Sequence, residues 1–242
     1  MRNIKLTIEY DGTGFAGWQF QPEQRTVQGL LEEKLSTMLD EKISVLGSGR
    51  TDAGVHAAGQ VANFKTEREL PLRAFEDGLN SLLSNDVAII KAEEAAENFH
   101  ARFDAKARRY RYQIIFRRSP LRERFAWRML HTADPEILKA LAEQLIGKHD
   151  FTSFSSTQAE VNNFICQIDK AEWTLADDRW NFEVKANRFL HNMVRILVGT
   201  MIDMARGQMD PKDLAKILEA KDRTLAGRTA PACGLCLMEV YY

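Results

Sequence analysis

Cysteine is scarce in this sequence, with three among 242 residues (Cys166, Cys233 and Cys236), and the five histidines (His56, His100, His131, His149 and His191) show no paired ligand spacing. A four-ligand zinc site is therefore not expected, nor any other metal. Three reduced thiols suit the cytosol. Cys233-Gly234-Leu235-Cys236 does spell C-x-x-C, but it sits where a last strand should begin. It lacks the following helix whose N-terminus lowers a thiol pKa in a thioredoxin-like site. Small buried residues are the better reading of this pair.

Long apolar runs are missing as well. The longest, Met193 to Ala205, is interrupted by Arg195 and Asp203 and falls short of the roughly 20 residues that a membrane helix needs. Met1-Arg2-Asn3 leads at once into the alternating stretch Ile4 to Tyr10, with no apolar export segment. The expectation is a cytoplasmic protein without membrane contact. There is no Pro/Gly/Ser-rich linker and no low-complexity tract.

An excess of either charge is also lacking, since the formal net charge is −1. The distribution is uneven. Residues 101–130 hold ten basic side chains (Arg102, Lys106, Arg108, Arg109, Arg111, Arg117, Arg118, Arg122, Arg124 and Arg128) against Asp104 and Glu123, a local balance of +8. A polyanion is the natural partner of such a block, because each phosphate contact releases condensed counterions. A solvated charged face fits the same residues.

What is present is a pattern of period-two and helical stretches that occurs twice. The first half reads as strand 3–10, helix 27–39, strand 43–49, strand 60–65, helix 72–83 and strand 87–94. The second reads as strand 109–116, helix 135–146, strand 166–176, strand 180–186, helix 190–206, an added helix from Pro211 and strand 234–241. Asp134-Pro135 and Asp210-Pro211 mark two helix starts, each placing an acceptor at the N-cap and a pre-set φ at the first helical position. Two βαββαβ units imply an α+β protein of two ferredoxin-like halves, 1–104 and 105–242, with mainly antiparallel sheets flanking a central cleft.

Two segments could carry chemistry. Gly12-Thr13-Gly14-Phe15-Ala16-Gly17 matches G-x-G-x-x-G, but no helical period begins before about Thr26, whereas a dinucleotide fingerprint needs a helix opening within the glycines. Glycines interleaved with Phe15, Trp18 and Phe20 fit a tight loop, either packed on the core or offering rings to a nucleic acid. The second segment, Gly47-Ser48-Gly49-Arg50-Thr51-Asp52-Ala53-Gly54-Val55-His56-Ala57, sets one Arg, one Asp and one His among small residues. It follows an expected strand, where a loop can hold polar groups over a cleft. A structural turn with an Asx-type hydrogen bond and a catalytic carboxylate both fit Asp52.

G-R-T-D-A-G-V-H-A resembles the signature of TruA-like pseudouridine synthases. Other segments agree in order: Tyr10 to Gln19 resembles the family's first-strand loop, Phe99-His100-Ala101-Arg102-Phe103 and Arg109-Tyr110-Arg111-Tyr112 its middle motifs, Asn187 to Arg195 its penultimate helix, and Thr229 to Leu235 its closing motif. The resemblance spans nearly the whole chain. It departs at Asn163-Phe164-Ile165-Cys166-Gln167, where the family pattern would place an arginine.

The resemblance implies an isomerase that turns uridine into pseudouridine at positions 38, 39 and 40 of the tRNA anticodon stem-loop, acting as a homodimer without a cofactor. Carried over residue by residue, Asp52 is the catalytic carboxylate, which attacks C1′ of the ribose, attacks C6 of the base or assists a glycal route. Arg195 supplies the opposite charge that favours its ionised form. Tyr110 stacks on the uracil and takes part in removing the C5 proton, with Leu235 also against the substrate. Arg50 holds the flipped nucleotide. Thr51 and His56 of the same loop, Phe15, Trp18 and Gln19 of the first-strand loop, and Arg102, Arg108, Arg109 and Arg111 are expected on the RNA. A non-catalytic RNA-binding module is the main rival. A methyltransferase or deaminase has neither a nucleotide loop in context nor a zinc-ligand set to support it.

Overall fold

A computed structural model describes residues 1–156 and 163–242. The protein is mixed α/β, and its chain divides into two compact units, residues 1–106 with 237–242, and residues 107–236.

In the first unit, strand β1 (Arg2–Tyr10) pairs antiparallel with both β3 (His56–Thr66) and β4 (Val87–Ala95). Its alternation is that of a strand packed on one face, with Ile4, Leu6, Ile8 and Tyr10 buried. β3, paired on β1, is buried almost continuously. Helix α1 (Val27–Leu39) runs over the span its periodicity implies: the hydroxyl of Thr26 accepts from Gly29 N–H at its start, and Asp40 closes it in the left-handed region. Val27, Leu31, Leu35 and Leu39 recur every four residues and are all buried, each contributing about 1.5–3 kcal/mol of transfer free energy.

Two expected elements of this unit come out differently. The strand expected over 43–49 is reduced to β2 (Leu46–Gly47), paired with β3. Side chains of α1 take the preceding backbone groups: Ile43 N–H donates to Ser36 Oγ at 3.0 Å, Val45 N–H to Glu32 Oε1 at 2.9 Å, and Gln28 Nε2 donates to Val45 O at 3.2 Å. The helix expected over 72–83 starts at residue 72 but is interrupted by a π-turn (Ala74–Gly78) before α2 (Leu79–Leu82). Asn63 Nδ2 donates to Asn3 Oδ1 at 2.9 Å, while Asn3 Nδ2 reaches the carbonyls of Ala96 and Phe99 and Ala101 N–H donates to Asn63 Oδ1. This buried pair ties the 96–101 segment to the sheet, each polar atom being matched as burial demands.

In the second unit, β5 (Ala107–Ile115) pairs antiparallel with β9 (Arg179–Ala186), β9 with β8 (Ile165–Ala176), and β8 with β7 (Gly147–Asp150). A two-residue strand, β6 (Trp127–Arg128), runs parallel to β5. Neither β6 nor β7 was expected, so this unit carries more strands than a βαββαβ order holds. Helix α3 (Pro135–Gln144) starts as its Asp-Pro signal dictates, with Asp134 Oδ1 accepting from Glu136 and Ile137 N–H. The added helix opens as a 3-10 turn at Pro211 and continues as α5 (Leu214–Ala220). Helix α4 (Met193–Ala205) is buried at every residue except Arg195. It begins three residues later than its apolar pattern implies, because Asn192 sits at φ 62° in the left-handed region, one that asparagine tolerates better than most residues. The final strand, β10 (Leu235–Tyr241), passes from the second unit into the first at Leu237.

Candidate active site

The Asp52 loop of the first unit is held by backbone and buried side chains on every side. Ser48 N–H donates to Val61 O at 2.7 Å, Ser48 Oγ to Gln60 Oε1 at 2.7 Å, and Gln60 Nε2 to Gly49 O at 3.0 Å, fixing the approach to the loop. At its centre Thr51 Oγ1 meets Tyr10 OH at 2.8 Å and Thr51 O accepts from Trp18 N–H at 3.0 Å. Gly54 N–H donates to Phe15 O at 3.3 Å, and Gly12 N–H to His56 Nδ1 at 3.0 Å. The same Nδ1 lies 3.2 Å from Asp11 Oδ1.

The turn itself closes through the backbone of Asp52, whose carbonyl accepts from Val55 N–H at 3.1 Å. Asp52 is half-buried and Arg50, two residues before it, is exposed.

The glycines of the 12–17 motif find their explanation here. A Cβ on Gly12 would overlap the Val55 carbonyl, and one on Gly17, at φ +102°, would lie 2.7 Å from Thr51 O. They let two loops touch backbone to backbone, which is a different use from cradling a pyrophosphate. Of the two uses open to the aromatic rings between them, the packed one is observed. Phe15 and Trp18 are 4% and 2% exposed, with the Arg25 guanidinium 4.0 Å over the Phe15 ring and the Trp18 indole beneath Gly47. Thr51 and His56 are buried too. These four residues, all expected on RNA, lie under the loop, because the bonds that seat it use their polar atoms and ring faces. Gln19 is half-exposed, and the exposed ring of this stretch is Phe20.

In the second unit Tyr110 lies on β5, 8% exposed, with its ring edge-on to Phe189 at 5.1 Å and 85°. The Arg195 guanidinium is oriented from two sides, Nε donating to Ala230 O at 2.8 Å and Nη1 to Asn192 Oδ1 at 2.7 Å. The left-handed Asn192 thus both opens α4 and orients this arginine, a role no sequence signal announced. Leu235 is buried. Burial pushes the Tyr112 hydroxyl well above its ordinary pKa, against the opposing pull of Arg195, and it donates to Pro231 O at 2.8 Å. The thiol of Cys233 is likewise raised by burial and that of Cys166 is pushed up to about 11, the reverse of what a reactive thiol requires.

The expected RNA-facing arginines divide between the units. Arg102 and Lys106 lie in the first, and the other eight members of the basic block in the second. Arg102 is exposed, whereas Arg108, Arg109 and Arg111 are half-buried, Arg108 donating to Asn187 O at 3.0 Å and Arg109 lying 3.3 Å from Glu183. Arg122 pairs with Asp178 at 2.7 Å and Arg128 with Glu123 at 3.6 Å. Asn163, at the departure from the family pattern, accepts from Ile165 N–H at 2.8 Å and so opens β8.

A family model described as tRNA pseudouridine synthase matches residues 6–104 and 141–242. A tRNA pseudouridine synthase A of Citrifermentans bemidjiense is 46% identical over 245 residues, covering 100% of this chain and 98% of its own. Similar proteins of the same name occur in Pelobacter propionicus (46% over 244 residues, 100% of both chains) and in an Exiguobacterium (44% over 242 residues, 100% of this chain and 98% of its own). Tyr110 and nine of the ten basic residues fall between the two segments of the family match, within the span covered by these full-length relatives. The chain belongs to the tRNA pseudouridine synthase family, a family of isomerases.

Proposed function

We propose that this chain isomerises uridine to pseudouridine at positions 38, 39 and 40 of the tRNA anticodon stem-loop, with Asp52 as the catalytic carboxylate. It works in the cytoplasm as a homodimer, each chain having two ferredoxin-like halves, 1–104 and 105–242, and needs no cofactor. The observation that carries the reading is the seating of Asp52. Buried neighbours hold the loop by bonds from Tyr10, Trp18, Phe15 and Gly12, which sets the half-buried carboxylate in one place.

The reaction must break the bond from uracil N1 to ribose C1′, turn the base while holding it, and join C5 to C1′. An ionised carboxylate can act at C1′, at C6 or by proton transfer in a glycal route, with Arg195 as the opposing charge. Arg50 steadies the extruded nucleotide, whose flipping costs a few kcal/mol and least where the stem is already interrupted. Tyr110 and Leu235 bear on the uracil. The exposed basic residues meet the phosphate backbone by shape, which suits acceptance of several neighbouring uridines.

The test is release of tritium as water from tRNA labelled at uracil C5, with no metal or nucleotide added. Release is expected with the wild-type chain, and a folded, tRNA-bound chain that releases none would end the reading. Within this assay Tyr110→Phe is expected to slow release by about 10²-fold or more while tRNA binding persists, as for loss of a general acid–base group. Full activity in that variant would leave Tyr110 with stacking alone.

Binding should weaken steeply with salt. Arg109, Arg122 and Arg128 already hold carboxylates, so fewer than ten phosphate contacts are expected. A slope of about −5 in log K against log salt follows, or roughly a 10³-fold loss between 50 and 200 mM. A flat response in a filter-binding titration would exclude phosphate docking through this block.

A further inference from the structure

Residues 226–231 have no regular secondary structure, yet they are fastened along α4 bond by bond. Gly227 N–H donates to Thr200 Oγ1 at 2.9 Å. Arg228 donates to the Asp203 carboxylate twice, from its backbone N–H at 3.2 Å and from Nε at 2.7 Å. Ala230 N–H donates to the Arg195 carbonyl at 3.1 Å, and Arg195 Nε returns a bond to the Ala230 carbonyl at 2.8 Å. The approach is as close as backbone allows, since a Cβ on Gly199 would overlap the carbonyl of Arg228. On the other side Arg223 donates to Ala226 O and Thr229 Oγ1, both at 3.2 Å, and Tyr112 holds Pro231.

Asp203 is 6% exposed, and a carboxylate at that depth is tolerated only when paired and hydrogen-bonded. Its partner is a residue of this strap rather than of α4. A charge pair here adds little to a helix already buried on nearly every face. What it does fix is register: a slip of one residue moves the strap by about 3.3 Å, enough to take the Ala230 carbonyl away from Arg195 altogether. Arginine carries its donors on a flexible stem, and two of the bonds that hold this guanidinium, at Nε and Nη1, go to the strap and to Asn192.

We propose that the Asp203–Arg228 pair, with the bare backbone of Gly199, positions the strap at 227–230 so that the Ala230 carbonyl aims the Arg195 guanidinium for catalysis. The proposal rests on the role given above to Arg195. Asp203 and Arg228 are positioning residues, acting on the reaction through Arg195 alone.

A double-mutant cycle tests it with the full chain and tritiated tRNA, measuring the single-turnover rate and tRNA affinity separately. Gly199→Ala and Asp203→Asn are each expected to slow the single-turnover step by roughly 10–100-fold, the scale on which misplacement by about 1 Å acts, with affinity within about twofold of wild type. Arg228→Lys, which keeps the charge but not the fork, should lose less. On an Arg195→Lys background the same changes should cost less than about threefold further. Losses that multiply in full on that background would overturn the proposal, as would a folded Gly199→Ala or Arg228→Lys chain with the wild-type rate. If Asp203→Asn does not fold, those two variants complete the cycle. An Arg195→Lys enzyme as fast as wild type would instead overturn the role of Arg195 itself, a different signature from multiplied losses on a slow background.

Discussion

Asp52→Asn is expected to abolish pseudouridine formation, lowering the single-turnover rate by on the order of 10⁴-fold, the scale seen when an essential catalytic group is removed. Asparagine has nearly the shape of aspartate but cannot ionise, so it cannot attack carbon or take up a proton as a carboxylate does. The loop should survive the change. Its turn closes from Val55 N–H to the backbone carbonyl of residue 52, and its anchors are Thr51 on Tyr10 and Trp18, Gly54 on Phe15, and His56 on Gly12. Near-wild-type melting and tRNA affinity are therefore expected alongside lost turnover. Tritium release at the wild-type rate from the asparagine variant would remove Asp52 from the chemistry.

The way the loop is seated explains how much of the site could be read in advance. The run from Gly49 to Ala57 identifies a loop with one Asp among small residues, and β1 and α1 follow directly from local rules: alternation in Ile4, Leu6 and Ile8, and four-residue spacing from a capping Thr26. Residue type does not say which way a side chain faces. Phe15, Trp18, Thr51 and His56 belong to the same motifs as exposed Arg50, yet they lie beneath the loop, because their partners come from segments far along the chain. β2 is short for a related reason, its neighbouring backbone groups being bound to Gln28, Glu32 and Ser36 of α1. The polar tetrapeptide of β7 has no apolar alternation to reveal it, and Asp203 and Arg228 stand 25 residues apart with no local signal joining them. Local periodicity is visible in a sequence, whereas bonds between distant segments are not.

Gly17→Ala is expected to damage both stability and rate, because the glycine holds the Asp52 loop from below. At φ +102° any residue with a Cβ is strained, at a cost of about 1–2 kcal/mol. The added methyl group would also stand 2.7 Å from Thr51 O and 3.2 Å from both Ala53 N and the carbonyl carbon of Asp52. None of these atoms belongs to a flexible side chain. The backbone carrying the carboxylate must move, taking with it the bond from Trp18 N–H to Thr51 O. A loss of about 2 kcal/mol lowers the melting temperature by roughly 4–8 °C in a chain of this size, and a displacement approaching 1 Å at the reacting group lowers turnover by about 10²-fold. Gly14 provides the contrast within the same motif. Its φ is not positive, and a Cβ there would meet only the end of the Arg25 side chain at 3.1 Å and Asp86 Oδ2 at 3.8 Å, which can give way. Gly14→Ala should therefore stay within about twofold of wild-type turnover, an effect of less than about 0.5 kcal/mol. Melting curves and tritium release for the two variants side by side decide the matter. Equal behaviour at positions 14 and 17 would mean that the catalytic loop is not held through its contact with the glycine turn.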